Sequence, residues 1–138
     1  MIRQLSIFAE NKRGAMNRIT QVLCDAQINM QALVTNDSAE FGIVRMVVSE
    51  PDRALECLEE RGYLCRCDRA AAAEIGNEPG SLNQLLTDLN DGYINLDYLY
   101  VTSFGAGRKP VAILRSADIM EVESFLKAKG YVMLDSLT

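Results

Sequence analysis

Two short stretches hold the residues best suited to chemistry: Asn11-Lys12-Arg13-Gly14 and Asn77-Glu78-Pro79-Gly80, each running into a helical pattern. A glycine at a helix start lets a ligand approach the backbone closely, and the first turn of the helix offers unpaired N–H groups and partial positive charge, which suit a carboxylate. The amides of Asn11 and Asn77 carry both donors and acceptors, enough for the ammonium and the carboxylate of an amino acid. Lys12 and Arg13 add positive charge to the first turn, where the second has Glu78 and Pro79, and Ser81 follows the second glycine. Taken singly, each of these residues also has a structural reading, because Asn and Gly are ordinary turn residues.

Other chemistry is thinly represented. The 138 residues include no histidine, which removes the commonest general base. Cys65 and Cys67 share one face of an apparent strand and read, with Cys24 and Cys57, as reduced thiols; a metal site needs more ligands than they supply. Asp88, Asp91 and Asp97 form no acid–base pairing and read as solvated surface. The stretch Phe104-Gly105-Ala106-Gly107-Arg108-Lys109-Pro110 lacks the spacing of a phosphate-binding loop and sits between strands, so a hairpin tip is expected. Tyr98 and Tyr100 share a strand face and read as interface packing. No enzyme activity, cofactor or metal is expected.

The elements that position the two turns repeat. Gly14 and Gly80 lie 66 positions apart, as do Ile28-Asn29-Met30 and Ile94-Asn95-Leu96. Leu5, Ile7 and Ala9 alternate with Gln4 and Ser6, the pattern of a strand with one buried face. Met16, Ile19, Leu23 and Ala26 form a helical stripe, matched by Leu82, Leu85 and Leu89, with Leu86 widening it. Strands follow at 30–35 and 41–48 in the first copy and at 96–104 and 110–114 in the second, joined by turns at 36–42 and 105–110. A second helix is expected at 51–61 and 118–129, ending at Gly62-Tyr63 and Gly130-Tyr131. A last short strand completes each copy, at 64–68 and 132–135. Each half is thus β-α-β-β-α-β, an α+β ferredoxin-like unit with a four-stranded antiparallel sheet and two helices on one face, over residues 1–68 and 69–138.

Composition excludes several partners. The net charge of −5 comes without clustered Lys and Arg, which argues against nucleic acid and anionic membranes. No apolar run is long enough for a transmembrane helix, and the start lacks the pattern of a signal peptide, so a cytoplasmic location is expected.

The doubled β-α-β-β-α-β order, the glycine turn with its "NEPGSL" form at 77–82, and the Ile-Asn before the second strand resemble a tandem pair of ACT domains. The resemblance implies a non-enzymatic small-molecule sensor, most often of amino acids, and a stand-alone regulatory subunit whose output passes to a separate enzyme partner. It implies ligand contacts at the turn and at the Ile-Asn segment, hence at Asn11, Lys12, Arg13, Gly14, Asn29 and Met30 and at Asn77, Glu78, Gly80, Ser81, Asn95 and Leu96. Exposed sheet edges favour a homodimer. The alternative is a structural assembly module with vestigial sites that binds a partner enzyme.

Overall fold

The computed structural model describes residues 1–37 and 41–138. Ten elements follow in order: β1 (Ile2–Glu10), α1 (Ala15–Asp25), β2 (Met30–Asp37), β3 (Phe41–Val48), α2 (Pro51–Glu60), β4 (Cys65–Glu74), α3 (Ser81–Asp91), β5 (Tyr98–Thr102), β6 (Val111–Arg115) and α4 (Ile119–Ala128). The strands form a six-stranded antiparallel sheet in the order β2-β3-β1-β4-β6-β5. The turn expected at 36–42 includes residues 38–40, which lie outside the described residues. Among those described, no helix is long and apolar enough to cross a membrane.

Two complete copies need twelve elements, and the sequence explains the two that are missing. The segment Cys65–Glu74 carries no Gly, Pro, Asn or Ser to break it, so the last strand expected of the first copy and the first strand of the second are one ten-residue strand. The strand expected at 132–135 contracts to a bridge between Met133 and Ala73, supported by the Glu74 N–H on the Val132 carbonyl (3.0 Å) and the Leu134 N–H on the Ala72 carbonyl (2.8 Å). The expected strand at 96–104 is shorter, Tyr98–Thr102.

The chain divides into two compact units. One comprises Arg3–Asp68 with Leu137–Thr138, the other Arg69–Ser136 with Met1–Ile2. In the first, β1 pairs with β3 so that Leu5 faces Met46 and Ile7 faces Val44, and these side chains meet Ile19, Val22 and Leu23 of α1 and Ala54 and Leu58 of α2. In the second, Ala71 faces Leu114 across β4 and β6, and the core adds Leu85 and Leu89 of α3 and Val122 and Leu126 of α4. Each fully buried leucine contributes about 1.5–3 kcal/mol of burial free energy.

Two expectations about the core fail. Gln4 and Ser6 of β1 are buried along with Leu5 and Ile7, so residues on both faces of this strand are withdrawn from solvent. Leu86 does not widen the α3 stripe: it is 37% exposed, on the flank of the helix. Met16 and Leu82 are half-buried against their cores, where the stripes run out at the first turn.

Helix termini follow local chemistry. Pro51 opens α2, and the Asp118 carboxylate accepts the Glu121 N–H at 3.1 Å to cap α4. The second helix of each unit stops at glycine: Tyr63 N–H reaches the Leu58 carbonyl (3.1 Å) and Tyr131 N–H the Leu126 carbonyl (3.0 Å), the six-to-one closure made after a left-handed residue. The first helix of each unit closes in the same way without glycine. Gln27 and Tyr93 both hold φ at 56°, and the next N–H groups, of Ile28 and Ile94, reach the Leu23 and Leu89 carbonyls at 2.9 Å.

Candidate ligand-binding site

Gly14 and Gly80 are the N-terminal boundary residues of α1 and α3, with φ of 84° and 92°. A residue with Cβ is strained there, and neither helix receives a side-chain cap, so the first N–H groups are left to other acceptors. The turns are braced instead by backbone bonds: Ala15 N–H to the Lys12 carbonyl and Ser81 N–H to the Glu78 carbonyl, both 3.2 Å.

Two clefts flank each turn. In the first unit a cleft of about 420 Å³ lies between the turn and the Gly62–Leu64 segment, bordered by Phe8, Glu10, Lys12, Arg18 and Tyr63. A second, of about 270 Å³, lies between the turn and the β2–β3 hairpin, bordered by Asn11, Lys12, Gly14, Asn17, Thr35 and Ile43. The second unit repeats both at equivalent positions. About 300 Å³ is enclosed by Glu74, Glu78, Ser81, Gln84, Lys109 and Tyr131, and about 500 Å³ by Asn77, Glu78, Gly80, Ser81, Val101 and Pro110.

The charges at these equivalent positions differ. Lys12 Nζ pairs with Glu10 at 2.8 Å and holds that carboxyl below the usual carboxylate range, so part of the positive charge expected of the first turn is already matched. Arg13 is exposed and borders neither cleft of its unit. In the second turn Glu78 folds back, its Oε2 accepting from the Ser81 hydroxyl at 3.0 Å and covering Gly76 so closely that a Cβ there collides with it.

Asn29, Met30, Asn95 and Leu96 lie elsewhere. Each Ile-Asn pair follows the C-terminal end of an eleven-residue helix whose N-terminal end carries the turn. At 1.5 Å per residue that is about 16 Å, so within one unit no amino-acid-sized ligand touches both. Asn29 exchanges backbone bonds with Ser49, donating its N–H to Oγ (3.1 Å) and accepting Ser49 N–H on its carbonyl (2.9 Å). The Asn95 carbonyl accepts the Ser116 hydroxyl at 2.9 Å. Asn95 also borders an open cleft of about 450 Å³ with Asn90, Asp91 and Tyr93. Met30 is exposed at the start of β2, and Leu96 packs against the second core.

Three further residues belong to the turn clefts. Arg18 and Tyr63 border the larger cleft of the first unit, and Asp88 stands behind its counterpart in the second. Asp88 is not the solvated side chain expected: it accepts from the Tyr131 hydroxyl at 2.6 Å and from Gln84 Nε2 at 3.1 Å. The Tyr131 hydrogen bond, with help from Gln84 and the nearby Lys129, holds the Asp88 carboxyl below its usual range, and burial followed by that bond pushes the Tyr131 hydroxyl up to about 12. The pairing of Gly-Tyr at helix ends was the only trace in sequence of Tyr63 and Tyr131. Nothing marked Arg18.

The remaining candidates are structural in their contacts. Cys24, Cys57, Cys65 and Cys67 are free thiols, the last three packed half-buried against the first core. Among the described residues no group of three or more His, Cys, Asp or Glu is placed to hold a metal ion. The tip between β5 and β6 is organised by its own side chains, with the Arg108 guanidinium 4.1 Å from the Phe104 ring centre.

Comparison with known proteins places this architecture. A protein of Bacteroides thetaiotaomicron with a known crystal structure is 31% identical, with a TM-score of 0.88 over 96% of this chain and 91% of its own. The ligand-free regulatory subunit of aspartate kinase from Thermus thermophilus is 13% identical and similar in fold, with a TM-score of 0.66 over 91% of each chain. The regulatory subunit of aspartate kinase from Thermus flavus, also 13% identical, gives 0.64 over 91% of this chain and 90% of its own. No curated protein sequence matches significantly. The family model of the ACT domain pair matches residues 1–136, and with the doubled glycine turns and their equivalent clefts already in place, the chain belongs to the ACT domain-pair family.

Proposed function

We propose that this protein is a non-enzymatic regulatory subunit that binds a free amino acid at its glycine-turn clefts and passes the state of occupancy to a separate enzyme of amino-acid metabolism. The observation that carries the reading is the repetition of the same clefts beside Gly14 and Gly80, each bordered by uncapped helix N–H groups and an asparagine. The likeness in fold to aspartate kinase regulatory subunits supports a stand-alone regulatory role. In this reading the halves 1–68 and 69–138 derive from two β-α-β-β-α-β copies, each with two helices on one face of a four-stranded sheet, and Cys65–Glu74 serves both. The protein acts in the cytoplasm as a homodimer, in which the Ile-Asn segments, remote from the turn of their own unit, complete sites on neighbouring turns. Ligand acts by its differential affinity for one arrangement over another.

Thermal melting of the purified protein against each of the twenty amino acids at millimolar concentration tests this. Ligand at about 100 times its dissociation constant stabilises by about 2.7 kcal/mol, a shift of several degrees in a chain of this size. A selective shift, reduced in Asn77→Ala or Asn95→Ala, is the expected result. Twenty coincident curves overturn the sensor reading in favour of an assembly module that binds its partner without ligand.

A further inference from the structure

The clefts between the glycine turn and the Gly-Tyr helix end are built from equivalent positions in the two units but satisfied differently. In the second unit Gln84 and Tyr131 border the cleft, and both donate to the Asp88 carboxylate, which lies one turn further along α3. The equivalent positions in the first unit are Arg18, Tyr63 and Val22. The first unit therefore keeps two donors on the cleft, makes one of them a permanent cation, and replaces the acid that would satisfy them with a hydrocarbon buried in the core.

Among the described residues the Arg18 side chain and the Tyr63 hydroxyl make no hydrogen bond or close ion pair; the charge nearest in effect to Arg18 is the Glu10 carboxylate, which Lys12 already pairs at 2.8 Å. Arg18 lies over the turn, with Nη1 3.0 Å from where a Cβ on Gly14 would stand. The rest of the wall is largely apolar: Phe8 is 44% exposed and Leu64 70% exposed beside it. The charged lining of this cleft is Glu10, Lys12 and Arg18, against Glu74, Glu78 and Lys109 at its counterpart in the second unit, so the first cleft is net positive and the second, with acids at the positions of Phe8 and Lys12, net negative.

We propose that the cleft bordered by Arg18 and Tyr63, and not its counterpart in the second unit, binds an external carboxylate in the role that Asp88 fills internally for Gln84 and Tyr131, with Phe8 and Leu64 receiving a large apolar group of the same ligand. The inference deepens the reading of the protein as an amino-acid binder and rests on it for the ligand class, an amino acid with a large apolar side chain. A guanidinium and a phenolic hydroxyl together make charge-assisted hydrogen bonds to a carboxylate, and an apolar wall beside them selects the body that carries it.

Titration calorimetry on the full chain tests the site with L-phenylalanine, L-leucine, L-phenylalaninamide, which lacks the carboxylate, and 3-phenylpropionate, which lacks the ammonium. The acids bind, and the amide binds at least about tenfold more weakly, the scale of one lost charge-assisted hydrogen bond. Arg18→Gln weakens the acids about tenfold or more and Tyr63→Phe several-fold, while Gln84→Ala leaves them unchanged; melting curves of each variant confirm that it folds. Equal binding of phenylalanine and its amide overturns the proposal, as does full affinity in the Arg18→Gln, Tyr63→Phe double variant. If another amino acid stabilises the protein and Arg18→Gln leaves that binding intact, this site falls and the sensor function stands. If only 3-phenylpropionate binds, in an Arg18-dependent way, the site stands and amino-acid sensing falls. Absence of binding by all four probes overturns the site.

Discussion

The Tyr131 hydroxyl donates to the Asp88 carboxylate at 2.6 Å, tying the residue after the α4 stop to the last turn of α3 across 43 positions of sequence. The two pKa displacements act at opposite ends of the pH scale. Asp88 titrates below its unfolded value near 3.8, so its contribution is present above that pH and is lost as the solution is acidified through the folded value. Tyr131 titrates at about 12 against 10 unfolded, so between those values the folded state holds a proton the unfolded chain has released, and stability declines as pH rises through the window. Tyr131→Phe flattens the alkaline decline and shrinks the acid loss, read from urea midpoints across pH.

Left-handed residues at helix ends give a matched pair of opposite effects. Tyr93 holds φ at 56° and is 95% exposed, so Tyr93→Gly releases about 1–2 kcal/mol of backbone strain and returns about 0.5–1 kcal/mol in unfolded-chain entropy. The net expectation is stabilisation of up to about 1.5 kcal/mol. Gly130, with φ at 94° and open space around it, responds the other way, and Gly130→Ala costs about 1–2 kcal/mol from strain alone. Chemical denaturation of both variants measures the signs.

Burial separates two leucines of similar helical setting. Leu58 is fully enclosed in the first core, and Leu58→Ala costs about 2–5 kcal/mol, whereas Leu86→Ala stays within about 0.5 kcal/mol. A comparable loss in both would mean that Leu86 is covered in solution.

The Ile-Asn segment distinguishes backbone from side chain. Ser116 is buried and its hydroxyl satisfies the Asn95 carbonyl, so Ser116→Ala costs about 1–2 kcal/mol. Asn95→Ala keeps that bond and leaves the melting temperature nearly unchanged without ligand. An equal loss in the two variants would assign the Asn95 side chain a structural role.

What the sequence disclosed was whatever local periodicity encodes. Ile19, Leu23, Leu85 and Leu89 announced their burial by helical spacing, and Gly14 and Gly80 their turns by the repeat. Strand ends were less legible, because a strand exists only against a partner: the segment at 132–135 alternates well enough, yet finds one bridge, and Cys65–Glu74 reads as two strands until its continuity is seen. The buried Gln4 and Ser6 escaped for a related reason, since alternation records which face of a strand is apolar and not whether its polar face is withdrawn from solvent. The candidate site was half visible. Its turns are local, but the contrast of Arg18, Val22 and Tyr63 with Gln84, Asp88 and Tyr131 joins positions more than 40 apart, and no spacing rule flags it.

The two compact units are not the two halves of the chain. Leu137 is buried as part of the unit that holds Arg3–Asp68, and Ile2 is buried as part of the unit that holds Arg69–Ser136. A gene cut between codons 68 and 69 would deprive each product of an apolar residue encoded in the other fragment and would split one strand between them. Neither half of the repeat thus encodes every apolar residue of the unit that it mostly forms.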